Sequence, residues 1–193
     1  MNQLSKEFYL SDQEKLLIVN GIRRGLHRFY KERDGKSELL TERNYLSRQR
    51  SSYVFDSLYH LTNQHPELNV IAEIRNAGLS YEYLLLVFKD RNIMLTVSQV
   101  KHREDLPEYS EYRNEFAEGN HIYNQQLSFF KDEAPYKEGV YKHLIVTYNG
   151  LNGPVPGFIC IGATTPKQDS WVYHQDLTEG LKSVVLQQDN LLV

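Results

Sequence analysis

Two apolar runs separated by three polar residues constrain this chain more than any other feature. Residues 81–89 and 93–101 are rich in Leu, Val, Ile and aromatics, and they flank Asp90-Arg91-Asn92. Such runs around a turn signal read as a β-hairpin. A two-residue turn at Asp90-Arg91 sets Phe88 opposite Ile93, Leu86 opposite Leu95 and Leu84 opposite Val97. Strand side chains alternate, so these six share one face. A face so apolar has to be covered, and the hairpin is therefore expected at the centre of the core.

The cover is expected from the N-terminal third. Ser11 followed by Glu14 is a capping box that opens a helix. Leu16, Leu17, Val19, Ile22, Leu26, Phe29 and Tyr30 then recur at helical spacing, with Gly35 as a stop. A second helix is predicted over residues 47–63, closed by Pro66. Residues 68–75 read as a strand ending at the turn Asn76-Ala77-Gly78. Residues 142–149 and 157–163 read as two more. The glycines between them are no phosphate cradle, because Pro154 and Pro156 have no N–H to offer. Residues 109–118 are predicted helical, Val172-Tyr173 a last short strand, and residues 177–186 a C-terminal helix.

Together these predict an α+β fold, with N-terminal helices packed on a mostly antiparallel sheet of about five strands. A chain of 193 residues suits a single domain, 1–193. Within it, residues 1–66 are mostly helical and 67–101 hold the central strands. An acidic aromatic segment spans 102–141, and a hairpin and tail span 142–193.

Charge is unevenly spread. Nine Lys and Arg against four acids lie between Gly21 and Arg50, while nine acids face three bases between Glu104 and Glu138. The basic stretch, with Arg23, Arg24, Arg28 and Lys31 on the polar side of the first helix, is either a solvated face or a steering patch for an acidic partner or for phosphates. Its aromatic interleaving is thin, which makes nucleic acid the less favoured partner. The acidic stretch carries Tyr109, Tyr112 and Phe116, and rigid amphipathic aromatics beside carboxylates suit a protein partner. The alternative is a core lined by tyrosines with hydroxyls at the rim. Complementarity between the acidic segment and the basic helix also allows a homodimer, or closure of one over the other within the chain.

No stretch approaches the ~18 apolar residues of a membrane span, and the first ten residues lack a signal-peptide core. The lone Cys160 sits in an apolar run and reads as a buried small hydrophobe. These features lead to the expectation of a cytoplasmic protein that makes no use of a membrane.

Chemistry is harder to find. There is no zinc-ligand spacing, nucleophile elbow, phosphate-binding loop or dinucleotide fingerprint in the chain. One constellation does emerge from the hairpin register. Continuing along the apolar face, Glu82 falls opposite Gln99, and Lys101 follows two residues later. A carboxylate and an amide oxygen are ligands for Mg²⁺, and an amine beside them orients water. This arrangement resembles the core of the PD-(D/E)xK nucleases, a helix followed by a hairpin carrying an acid and an acid-x-Lys pair. The resemblance covers roughly residues 47–101, with Gln99-Val100-Lys101 in the second element and Gln replacing its acid. It implies Glu82, Gln99 and Lys101 as catalytic residues, Glu82 and Gln99 as metal ligands, and Mg²⁺ as the cofactor. The plainer alternative is that these residues mark where the buried face meets solvent. The leading expectation is a domain without catalysis or cofactor that acts through a protein partner in interaction or regulation. A Mg²⁺-dependent nuclease, or an inactive relative acting on nucleic acid, is the alternative.

Overall fold

The computed structural model describes residues 8–34, 43–78, 81–120 and 141–178. It is an α+β structure in which two long helices cover one face of a six-stranded, mostly antiparallel sheet. Helix α1 is Asp12–Arg33 and α2 is Arg43–Gln64. The strands are β1 Val70–Asn76, β2 Glu82–Phe88, β3 Ile93–Gln99, β4 Lys142–Tyr148, β5 Ile159–Thr164 and β6 Trp171–Asp176, and they lie side by side in chain order. A short helix α3, Glu111–Ala117, follows β3. The helix expected over residues 177–186 lies outside the described residues after Thr178, as do Gly35 and residues 121–138 of the acidic segment.

The capping box at the start of α1 forms as its residue types require. Ser11 Oγ accepts from Glu14 N at 3.3 Å, and Glu14 Oε2 accepts from Ser11 N at 2.6 Å. Glu14 is buried, and its second oxygen accepts from Arg91 Nε at 2.8 Å. The side chain that caps the first helix thus also holds the β2–β3 turn. That turn is a short 3₁₀ segment, Lys89–Arg91, closed by Asn92 in the left-handed region at φ 51°.

Where the two strands pair, the hairpin register follows the sequence, although the turn spans residues 89–92 rather than two residues and pairing stops before Leu84 and Val97. Phe88 pairs with Ile93 and Leu86 with Leu95. Leu84, Leu86, Phe88, Leu95 and Val97 are all buried in the main core, together with Ile18, Ile22 and Leu26 of α1 and Val54 and Leu58 of α2. The alternate side chains of β2, Tyr83, Leu85 and Val87, face the other side, where Tyr112 and Phe116 of α3 pack on them. The middle of the sheet is thus covered on both faces, which is why β2 reads as a nearly continuous apolar run.

Helices α1 and α2 approach closely. A Cβ placed on Gly25 would stand 2.5 Å from Val54 Cα and 2.7 Å from the Tyr53 carbonyl oxygen, so only a hydrogen fits there.

One pairing was not visible in the sequence. Strand β4 lies parallel to β3, in register from Ile93↔Lys142 to Gln99↔Tyr148. Parallel neighbours need a long crossover, and α3 belongs to it. Asn120, fully buried just after α3, fastens that connection. Its Nδ2 donates to the carbonyls of His143 (2.9 Å) and Thr164 (3.3 Å), and its Oδ1 accepts from His143 N at 2.9 Å.

Two substitutions test this packing. Leu86→Ala should cost about 2–5 kcal/mol, as core truncations do, read as a lower urea midpoint. Gly25→Ala should also destabilise, by about 1–3 kcal/mol from overpacking, although alanine is favoured over glycine in helices by about 1 kcal/mol. A Gly25→Ala protein that melts higher than the parent would show that the two helices are not in contact at that point.

Candidate functional site

Strands β2 and β3 do not stay together. Their register runs from Phe88↔Ile93 only as far as Leu85↔Thr96. Beyond that point β2 continues against β1 to Asn76↔Glu82, and β3 continues against β4 to Gln99↔Tyr148. The strands part, and a cleft of about 1300 Å³ opens between them. One wall is α2, with Ser47, Ser51, Ser52 and Asp56; the other is residues 108–115 leading into and along α3. Tyr81, Glu82 and Tyr83 border it from β2, and Val97, Ser98 and Gln99 from β3.

The side chains picked out from the hairpin are divided by this geometry. Glu82 and Gln99 both line the cleft, although the strands separate before the two can pair. Lys101 lies past the end of β3, exposed, and is not among the lining residues. Its carbonyl accepts from Asn149 Nδ2 at 2.7 Å, which fixes the chain as it leaves the sheet.

Whether these residues suit a metal is decided by what surrounds Gln99. Its Oε1 accepts from Ser47 Oγ at 3.3 Å and faces the buried Arg50 guanidinium, Nε at 3.5 Å. An amide oxygen committed to a cation is a poor ligand for a second one. Glu82 alone remains, and the described residues contain no group of three His, Cys, Asp or Glu able to hold an ion. Mg²⁺ does bind through one or two carboxylates with help from substrate phosphates, but here a guanidinium occupies the place beside the second ligand. The donor set does not fit a metal.

The cleft carries charge of both signs. Asp56 is already matched, accepting from Arg28 Nη1 at 2.6 Å with His60 Nε2 at 3.2 Å. Glu82, Glu108, Glu111 and Glu115 are exposed at the cleft and make no ion pair among the described residues. Against these four stand Arg48, which is exposed, and Arg113, which is 4 % exposed. Arg113 donates through Nη1 to the Glu108 carbonyl at 2.7 Å and through Nη2 to Ser98 Oγ at 3.3 Å.

Of the aromatic residues expected to anchor a partner, only Tyr109 stands clear, 66 % exposed on the cleft wall. Tyr112 stacks on Tyr83 with ring centroids 3.9 Å apart, and Phe116 meets both rings edge-on. Burial pushes the Tyr112 hydroxyl up to about 12, so it stays protonated. Both side chains hold α3 to the outer face of the sheet.

The basic helix face is also partly committed within the chain. Arg28 pairs with Asp56 and lies over the Tyr53 ring, while Arg24 and Lys31 are exposed. Helix α3 packs on the opposite side of the sheet from α1. The described part of the acidic segment therefore lies away from the basic face, and its residues 121–138, on which the expected closure or interface also depends, lie outside the described residues. No helix among the described residues is long and apolar enough to cross a membrane, and Cys160 is a buried free thiol.

Comparison with protein-family profiles, curated proteins and solved structures finds no match to this chain.

Behind the cleft, His143 of β4 is fully buried, with Nε2 3.0 Å from Thr96 Oγ1. Desolvation, and then the nearby Arg113 charge, push its pKa down to about 3. The folded protein thus keeps His143 neutral where the unfolded chain would protonate it. Stability from this group is fully present above pH 6.5 and is lost as pH falls from there toward 3, at up to ~1.4 kcal/mol per pH unit. Comparing urea midpoints of the parent and His143→Gln across pH 4–7 should show a flatter profile in the variant. Equal slopes would mean that His143 titrates normally.

Proposed function

We propose that this chain is a non-catalytic binding domain whose cleft takes an extended, basic segment of a partner protein. One observation carries this reading: four unpaired carboxylates, Glu82, Glu108, Glu111 and Glu115, line a cleft bordered by tyrosines. Carboxylates in that number raise the local concentration of cationic groups and oppose phosphates. Tyr81 and Tyr109, both exposed, add rigid amphipathic contact area. The parted edges of β2 and β3 border the same space, and unpaired strand edges are where extended polypeptides dock.

Fluorescence anisotropy with a labelled Lys/Arg-rich peptide of twelve or so residues tests this directly. The peptide should bind, and binding should weaken with salt, while an acidic peptide and a single-stranded oligonucleotide should not bind. Rim ion pairs contribute roughly 0.2–1 kcal/mol each, so Glu82→Gln with Glu111→Gln and Glu115→Gln should weaken binding about tenfold. Preference for the oligonucleotide over the basic peptide would defeat the proposal.

A second reading draws on Glu82 and Gln99 sharing the cleft, in keeping with the PD-(D/E)xK resemblance. The environment of Gln99 favours an inactive relative over an active nuclease. Incubation with DNA or RNA and Mg²⁺ or Mn²⁺ should therefore yield no cleavage. Nicking that disappears in both Glu82→Gln and Lys101→Ala would replace the binding proposal with the catalytic one.

A further inference from the structure

Arg113 poses a problem that the rest of the structure leaves open. A guanidinium remains charged at any pH a protein meets, and it carries five N–H donors. Arg113 is 96 % buried (4 % exposed), and among the described residues two acceptors reach it, the Glu108 carbonyl and Ser98 Oγ, while its guanidinium carbon lies 5.1 Å from the Tyr112 ring centroid. Its Nε is buried with no acceptor at all. No carboxylate among the described residues pairs with it, although four unpaired ones stand at the same cleft. Burying an ion is unfavourable unless a counter-charge and hydrogen bonds compensate. Arg113 lines the cleft, so a counter-charge entering the cleft would meet it.

A second buried donor borders the cleft from the other face of the sheet. Gln99 Nε2 is buried without an acceptor and also belongs to a residue lining the cleft. Ser98 and Gln99 are consecutive in β3 and face opposite sides of the sheet, Ser98 toward Arg113 and Gln99 toward Arg50. The end of β3 is thereby flanked by two buried guanidiniums, one from α3 and one from α2. The rim of the cleft is acidic, and of these two guanidiniums Arg113 is the one that lines it, as a buried floor beneath that rim.

We propose that this floor is a carboxylate-binding subsite built on Arg113, and that it takes the C-terminal carboxylate of the segment bound in the cleft. A planar guanidinium matches a carboxylate in shape as well as charge. A basic C-terminal segment meets both parts of the site, its terminus at Arg113 and its cationic side chains at the glutamates. The identity of this ligand rests on the binding function proposed above; the need of Arg113 for an anion does not.

The ligand, rather than the protein, is varied first, so the test survives if Arg113 variants do not fold. Acetyl-Gly-Gly with a free carboxylate should shift the Arg113 Nε–H resonance in a ¹H–¹⁵N spectrum, and acetyl-Gly-Gly amide should not. Absence of that peak in Arg113→Lys assigns it. The basic peptide with a free C-terminus should bind at least about tenfold more tightly than its C-terminal amide, a difference of ~1.4 kcal/mol. Equal affinity with no shift of the Arg113 resonance overturns the subsite while leaving the cleft as a peptide-binding site. A shift with the dipeptide acid, without binding of either basic peptide, keeps the subsite and removes the proposed function. A shift caused only by an amidated peptide bearing phosphoserine overturns the carboxylate assignment in favour of phosphate.

Discussion

The parallel pairing of β3 with β4 is the constraint from which the rest of this molecule follows. It holds over seven register pairs, from Ile93 to Gln99, whereas β3 pairs with β2 over only four. The far end of β3 goes with β4, and the far end of β2 goes with β1, so the sheet opens between them. Parallel strands also cannot be joined by a tight turn. The crossover they require carries α3 over the face that α1 and α2 leave bare. The cleft, its two walls and the burial of Arg113 all result from one choice of neighbour.

Packing on the two faces of the sheet differs in kind. The face toward α1 and α2 is mainly aliphatic and continuous, and it extends from Phe8 to Leu177. The face toward α3 is smaller and depends on aromatic contacts among Tyr83, Tyr112 and Phe116. Some of the polar groups buried there have specific partners: Thr96 with His143, and Asn120 with the backbone of His143 and Thr164. Directional bonds of this sort fix the position of a short helix that seven residues of its own could not hold.

Electrostatics then gives the cleft its character. Within the basic helix face, Arg28 is matched by Asp56, whereas the carboxylates of the opposite wall have no such partners. In the complex proposed above, attraction between a cationic segment and these glutamates is long-ranged and screened by salt, while capture of an anion by Arg113 is short-ranged and largely shielded from it. In that proposal the first sets the rate and class of partner, and the second sets which end of it enters.

Local physics was legible in the chain. The capping box at Ser11 and Glu14 forms from residues three apart, and the hairpin register follows from a turn and an alternation of period two. The cover of helices over the β2–β3 face was likewise implied by apolar spacing, as was the α+β class. The candidate site was only half visible. Glu82 and Gln99 could be placed at one end of the hairpin, but Arg113, Ser47 and Arg50 lie far from them along the sequence and carry no motif. Tyr112 and Phe116 were open to two readings from the sequence, partner anchors beside acids or core-lining rings, and they pack inward on Tyr83. Periodicity states which side of an element must be buried. It does not state which other element will bury it, because that depends on contacts between residues distant in the chain. The partner of β3, the parting of the strands and the isolation of a buried charge were therefore decided only by the tertiary structure.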